Sequence, residues 1–298
     1  RNMILDSKKS VVFFGGGTGL SRILKSANKA KKENQNFASI VSTFDNGGSS
    51  GILRDLYDIP AIGDIRKVLS SCVSSQVHNL LEFRFDSESF TPHTIGNLIL
   101  LSCINKNTSI QDAIDNYREI FQIKQLVYAS SEIPCDLTVE SNESTISGEV
   151  NINNFVEENN EIIDIRLKNN DIPANKKALK SLSSSSMIIF SPGDFYTSLI
   201  ASMLPNGYIE KISSLDNNSI WLTNCNLSQK TLFDQVNFFR NKMQGFLPKK
   251  IIHDSGSNLD IKFSKEFPEV TFVNKDLQSS ELGKHDLLKL EVFFSSIL

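Results

Sequence analysis

Val11-Val12-Phe13-Phe14-Gly15-Gly16-Gly17-Thr18-Gly19 is the stretch from which the fold of this chain can be predicted. Its four apolar residues indicate a short buried strand, and the glycines that follow indicate a tight turn. Apolar residues then recur at helical spacing, at Leu20, Ile23, Leu24 and Ala27. Strand, turn and helix together predict the first half of a βαβ unit, and hence an α/β fold.

The glycine turn is a candidate phosphate-binding site. Its backbone N–H groups and the partial positive charge at the start of the helix both favour an anion. Gly16, Gly17, Thr18 and Gly19 are therefore candidate nucleotide-binding residues. The alternative is a turn that binds nothing, although four glycines in five positions exceed what a turn requires. The dinucleotide pattern is broken because Leu20 stands where it needs glycine, and the P-loop pattern lacks its Gly-Lys-Ser/Thr.

Composition limits the class of protein. The chain has 298 residues, of which 40% are apolar, enough for a sizeable core. Its net charge of −3 gives no general attraction to nucleic acid or to anionic membranes, so neither is an expected partner. No run of about 18 apolar residues is present that could insert stably into a membrane. The four widely separated cysteines indicate reduced thiols, and so a cytoplasmic protein.

A second glycine-rich loop, Asp45-Asn46-Gly47-Gly48-Ser49-Ser50-Gly51, follows a predicted strand at 37–44. Parallel α/β sheets bind ligands at this carboxyl edge. Asp45 is a candidate for binding ribose, for holding Mg²⁺ beside a phosphate, or for an Asx turn within its own loop. Gly47 and Gly48 are further nucleotide-binding candidates.

Two further motifs contribute polar side chains. Asp64 either caps a helix or faces the ligand, and Arg66 either pairs with Asp64 or reaches a phosphate. His93 and Asn97 are four residues apart on a predicted buried helix, so they share a face. Both the core interpretation and the functional interpretation of this pair stay open.

A third loop of the same type, Pro192-Gly193-Asp194-Phe195-Tyr196-Thr197-Ser198, again joins a strand to a helix. Gly193 and Thr197 are nucleotide-binding candidates, and Asp194 and Thr197 either cap the helix or contact an anion or hydroxyl. Residues 126–168 alternate like short antiparallel strands, at 126–128, 136–140, 145–150 and 162–167, which predicts a β-rich insertion in a single domain spanning 1–298. The role of the segment 249–286 stays open.

Five of these motifs, in this order, resemble the family of YvcK, the gluconeogenesis factor, which shares a fold with CofD, the 2-phospho-L-lactate transferase. They are the three glycine-rich loops, Gly63-Asp64-Ile65-Arg66, and His93-Thr94-Ile95-Gly96-Asn97-Leu98. The resemblance implies a Rossmann-like three-layer α/β sandwich with a mostly parallel sheet and a small antiparallel insertion. Three positions depart from the family pattern: Asn46 replaces a second acid, Pro92 a glycine, and Asp194 a serine.

The resemblance gives two functional hypotheses. On the YvcK side it implies a regulatory protein that binds UDP-sugars and acts in central carbon use, cell-envelope growth and cell shape. On the CofD side it implies a Mg²⁺-dependent transfer of phospholactate to a deazaflavin alcohol, with Asp45 as metal ligand and His93 as base. Whether any reaction is catalysed stays open, as does a homodimer. An NAD-linked oxidoreductase is a third class, and the broken dinucleotide pattern argues against it.

Overall fold

A computed structural model describes residues 9–85, 92–104, 108–254, 259–281 and 283–298 of the chain. Within them, ten strands form one sheet of seven strands and one of three. The strands are β1 (Lys9–Gly15), β2 (Gln35–Val41), β3 (Leu126–Ala129), β4 (Leu137–Glu140), β5 (Thr145–Ser147), β6 (Asp164–Leu167), β7 (Met187–Phe190), β8 (Asn218–Leu222), β9 (Lys250–His253) and β10 (Thr271–Asn274).

Helices connect the strands of the larger sheet. In the first half of the chain they are α1 (Gly17–Ala30), α2 (Gly48–Tyr57), α3 (Gly63–Ser70), α4 (Ser75–Glu82), α5 (Ile95–Ser102), α6 (Ile110–Ile120) and α7 (Glu149–Glu157). In the second half they are α8 (Lys176–Ser183), a π-helical segment (Phe195–Ile200) that continues into α9 (Ala201–Met203), α10 (Tyr208–Ser214), α11 (Gln229–Lys242), α12 (Ile261–Glu266) and α13 (Leu287–Ile297).

The larger sheet has the strand order β10-β9-β8-β7-β1-β2-β3, and all its neighbouring strands run parallel. The chain builds outward from β1 to β3, then returns to place β7 on the other side of β1. The order therefore reverses between β1 and β7, as in a Rossmann-like doubly wound sheet. The loops that follow these two strands are expected to frame a ligand crevice.

Two hydrophobic cores cover the two faces of this sheet. Val12 and Phe14 of β1 belong to one core, and Val11 and Phe13 belong to the other, because successive strand residues point to opposite faces. Phe13 and Phe14 are both fully buried, and burying such a side chain contributes about 1.5–3 kcal/mol. The continuous apolar run of β1 thus reflects a central strand covered on both sides, which confirms the three-layer fold.

The small sheet, β5-β4-β6, is antiparallel, as the alternating pattern predicted. The strand at Leu126–Ala129 lies outside it, however, and forms the edge of the large parallel sheet beside β2. The predicted strand at 145–150 also ends early, at Ser147, and α7 begins at Glu149. No helix in the described parts of the chain is long and apolar enough to cross a membrane.

Candidate functional site

A cleft of about 570 Å³ lies where the strand order reverses, at the carboxyl edge of the sheet. The glycine turn after β1 and the loop after β7 both line it, and so do groups from the loop after β2. Three strand–loop–helix units that are distant in sequence therefore meet at one place. Of the sequence candidates, the cleft lining contains Gly16, Gly17, Thr18, Gly19, Asp45, Asp64 and Gly193.

The glycine turn presents the start of α1 to this cleft. Gly16 occupies the N-cap position, so no side chain there can satisfy the first N–H groups of the helix. Gly17 has a φ of +60°, a left-handed conformation that favours glycine. Thr18, the next residue, is exposed in the cleft. An anion placed here would meet open backbone donors and the positive end of the helix dipole.

The loops after β1 and β7 are packed directly against each other. A Cβ atom added at Gly19 would lie 2.1 Å from the carbonyl oxygen of Pro192, which leaves room only for glycine. Asn224, which was not predicted as a site residue, fixes the second loop. Its Oδ1 accepts from the Gly193 N–H at 2.7 Å, and its Nδ2 donates to the Gly193 carbonyl at 2.7 Å. Asn224 is thus a positioning residue for the site.

Asp64 points its carboxylate at the glycine turn. A Cβ atom added at Gly16 would lie 2.6 Å from Asp64 Oδ2, and Lys67 Nζ contacts Asp64 Oδ1 at 3.1 Å. The carboxylate makes no cap hydrogen bond to α3, whose N-cap is Ile62, so the helix-cap alternative is not what the structure shows. Burial raises the pKa of Asp64, and the opposing effect of Lys67 is smaller.

Asp45 forms an Asx turn, which was one of the three roles predicted for it. Its Oδ1 accepts the backbone N–H of Gly47 at 2.7 Å. The side chain of Glu149, brought over the cleft by α7, forms a hydrogen bond with Asp45. Burial first, and then Asp45, raise the pKa of Glu149 to about 9. At neutral pH Glu149 therefore carries a proton.

The position of Glu149 depends on contacts between α7 and the loop after β2. The backbone N–H of Val150 donates to Asn46 Oδ1 at 3.1 Å, and a Cβ atom added at Gly47 would lie 3.1 Å from the Val150 side chain. Asn46 therefore holds the insertion against the site. Glu149 was not predicted as a site residue because residues 145–150 alternate like a strand, and only Gly148 indicated a break there.

Among the described residues, four carboxyl groups line the cleft: Asp45, Asp64, Glu149 and Asp194. Asp194 takes the N-cap position of the π-helical segment, yet its side chain makes no cap hydrogen bond, and burial raises its pKa. Despite this density, the described residues include no group of three His, Cys, Asp or Glu side chains arranged to hold a metal ion.

Basic side chains also reach the cleft, from α1 and from the segment before α13. Arg22 and Lys284 line it, as does His285. Arg22 Nε donates to the carbonyl oxygen of His285, and this hydrogen bond joins α1 to the segment before α13 at the edge of the cleft. Burial lowers the pKa of His285, which keeps its ring neutral.

Another set of sequence candidates forms a buried network outside the cleft lining. Arg66 Nε donates to Asn97 Oδ1 at 3.1 Å, and its guanidinium pairs with Glu82. Asn97 Nδ2 donates to Ser49 Oγ at 2.8 Å, and Ser49 Oγ lies 2.9 Å from His93 Nδ1. Arg66 is only 1% exposed. These groups brace α2, α3 and α5 against each other beneath the loop after β2.

The remaining candidates also have internal partners. Thr197 Oγ1 donates to Asn153 Oδ1 of α7 at 2.9 Å, and Gly47 packs against α7 as described. Gly48, with a φ of +47°, begins α2. None of Gly47, Gly48 and Thr197 belongs to the described lining of the cleft.

Known proteins resemble this chain along most of its length. Residues 11–286 match the family described as "2-phospho-L-lactate transferase CofD". A "putative gluconeogenesis factor" of Pasteurella multocida is 32% identical over 229 residues, covering 76% of this chain and 72% of that protein. A "putative gluconeogenesis factor" of Thermotoga maritima is 34% identical over 221 residues, covering 73% of this chain and 68% of that protein.

Solved structures agree with the fold. A crystal structure of a UPF0052 family member from Bacillus halodurans superposes with a TM-score of 0.82 at 21% identity, covering 96% of this chain and 98% of that one. At that identity the likeness concerns the fold alone. The match over 11–286 and the two relatives above carry the assignment of family. This chain belongs to the CofD family, and its relatives there are named gluconeogenesis factors.

Proposed function

We propose that this chain is a regulatory protein that binds a nucleotide sugar, specifically a UDP-sugar, in the cleft between the loops after β1 and β7. The observation that carries the proposal is the open start of α1 at the glycine turn, placed where the strand order reverses. A diphosphate there would receive backbone hydrogen bonds and the helix dipole. A cleft of about 570 Å³ has the size of a small-molecule site.

The charges around the cleft suit the two parts of such a ligand. Arg22, Lys67 and Lys284 supply cations for a diphosphate. Asp45 and Asp194 supply acceptors for ribose and sugar hydroxyls, which are neutral donors that carboxylates bind well. The proton held on Glu149 lowers the negative charge that a diphosphate would meet.

The wider role follows from the relatives, which are named gluconeogenesis factors. By analogy we assign this chain a cytoplasmic role in central carbon metabolism and cell-envelope growth, including cell shape. A homodimer is part of the same proposal. These assignments rest on family and not on a geometric feature of the cleft.

A second candidate function is the transferase after which the family is described. The carboxyl groups at the cleft favour it, because acid and base groups near a phosphate suit group transfer. His93, the base that the resemblance suggested, contacts Ser49 outside the cleft lining. Glu149, which forms a hydrogen bond with Asp45, would serve a transferase as a proton donor and not as the base.

A ligand screen by thermal shift distinguishes the two functions. Nucleotides and nucleotide sugars are tested with Mg²⁺ and with EDTA, and release of GMP from a lactyl-diphosphoguanosine donor is assayed with a deazaflavin alcohol. We expect UDP-sugars to raise the melting temperature under both conditions without turnover. Mg²⁺-dependent GMP release, with no stabilisation by UDP-sugars, would overturn the binding proposal and support the transferase.

A further inference from the structure

A second groove, separate from the cleft, is lined by lysines. It measures about 640 Å³ and lies beside the C-terminal half of α1, next to the start of α4 and the segment before β3. Its lysines are Lys25, Lys29, Lys31 and Lys124. Among its described lining residues there is no Asp or Glu, although the whole chain has a net charge of −3. The groove is therefore a local concentration of positive charge.

Two of these ammonium groups are available to a ligand. Lys29 contacts Glu291 at 3.7 Å, and Lys31 lies 5.0 Å from the centre of the Phe37 ring. Lys25 and Lys124 form no ion pair with any residue that the structure describes. A helix dipole accounts for a lysine in the last turn of α1, such as Lys29, but not for Lys25 in mid-helix or Lys124 on another segment.

Two polar side chains that line the groove, Gln125 and His78, each have one atom without a hydrogen-bond partner among the described residues. Gln125 is 3% exposed, and its Nε2 donates to Ser39 Oγ at 3.1 Å, while its Oε1 has no hydrogen-bond partner in the described chain. Because a serine hydroxyl both donates and accepts, turning the amide over would leave the other atom unpaired instead. His78 Nδ1 donates to the Ser70 carbonyl at 2.8 Å, which leaves Nε2 for another partner.

We propose that this groove binds a small molecule carrying two phosphate groups and at least one hydroxyl. Two unpaired ammonium groups match two phosphates, and the unpaired amide atom of Gln125 and Nε2 of His78 match hydroxyls. The groove volume lies within the range of small-molecule sites. Thr18 and Lys29 are eleven residues apart on α1, which is about 16 Å, so this ligand and the one in the cleft are different molecules.

Protection of lysines from acylation, read by mass spectrometry, tests the proposal site by site. Pyrophosphate is the probe, and orthophosphate is the comparison. We expect pyrophosphate to slow acylation of Lys25 and Lys124 at least tenfold, and to leave Lys176 and Lys180 of α8 unchanged. Protection confined to Lys67 and Lys284 would place pyrophosphate in the cleft and overturn the proposal.

Matched variants remove the effect of overall charge. In calorimetry, Lys25→Gln/Lys124→Gln should weaken pyrophosphate binding at the groove at least tenfold and leave any binding in the cleft unchanged, whereas Lys176→Gln/Lys180→Gln, with the same charge change, should weaken neither. Equal affinity in the two double variants would overturn the proposal. Anionic vesicles distinguish a lipid headgroup from a free phosphate compound: vesicle binding that pyrophosphate does not displace would contradict a small-molecule site.

Discussion

Asp64 Oδ2 would lie 2.6 Å from a Cβ atom at Gly16, so the glycine turn is shaped by a carboxylate of the same chain. Gly16 has a φ of −166°, an extended conformation that any residue adopts. Its need for glycine therefore comes from contact with Asp64, and not from backbone strain. The glycines of this turn serve internal packing as well as any ligand.

Gly16→Ala tests that contact. The added methyl should displace Asp64 from Lys67 and lower the free energy of unfolding by about 1–2 kcal/mol. In an Asp64→Ala background the same substitution should have less than half this effect, because the obstructing carboxylate is gone. Urea unfolding of the four chains gives the comparison. An equal loss in both backgrounds would show that Gly16 is required for another reason.

The proton on Glu149 predicts a pH dependence of stability. The pKa of Glu149 is about 9 in the folded chain and near the ordinary glutamate value of 4.5 in the unfolded chain. Between these values the folded state holds a proton that the unfolded state has released, so the contribution of Glu149 to stability falls as pH rises. Glu149→Gln cannot ionise. Its stability should equal that of the parent chain near pH 4.5. The stability of the variant should then exceed that of the parent by an amount that grows up to pH 9.

Urea unfolding across this range measures the difference between Glu149→Gln and the parent. Glu143→Gln, at an exposed turn position, is the control and should follow the parent at every pH. A difference that stays constant with pH would show that Glu149 ionises normally in the folded chain.

Arg66 should matter for stability and not for ligand affinity. Arg66→Met leaves Glu82 unpaired and removes the hydrogen bond to Asn97. The Glu82 side chain is 34% exposed, so we expect a loss of about 2–3 kcal/mol, below that of a fully buried pair. UDP-sugar affinity of the folded variant, measured by calorimetry, should stay within about threefold. A loss of affinity above tenfold would place Arg66 in the binding site.

Binding should not depend on a divalent metal. Asp45 uses Oδ1 in its own turn and forms a hydrogen bond with Glu149, so Asp45→Asn should change UDP-sugar affinity by about tenfold or less, on the order of 1.4 kcal/mol. Affinity measured by calorimetry should be the same with EDTA as with Mg²⁺. Loss of binding in EDTA, together with a far larger effect of Asp45→Asn, would indicate a metal held by this carboxylate.

The sequence predicted the centre of the site because its signals are local. A strand, a glycine loop and a helix recur around Gly17, Asp45 and Gly193, and parallel strands bring their carboxyl ends to one edge. The antiparallel insertion was also predicted, from the alternation of apolar and polar residues along 126–168. Its first predicted strand, at 126–128, instead forms part of β3 in the parallel sheet, because so short an apolar run does not specify its partner strand.

The missed features depend on contacts between distant segments. Glu149 reaches the cleft because Asn46 fixes the start of α7, 104 positions away from it along the chain. Arg66 is buried because it forms an ion pair with Glu82 and donates a hydrogen bond to Asn97. The sequence shows which side chains are present in such networks, but tertiary packing decides which of them face the cleft.

Thr18 offers the most direct test of the proposed nucleotide-sugar site. It is exposed in the first turn of α1. An acidic side chain there would be stabilised by the helix dipole but would repel a diphosphate. Calorimetric titration of a UDP-sugar is made into the parent chain, Thr18→Gln and Thr18→Glu. We predict that Thr18→Gln binds within about threefold of the parent, and that Thr18→Glu binds at least tenfold more weakly while melting no lower. Equal affinity in all three chains would contradict diphosphate binding at this turn.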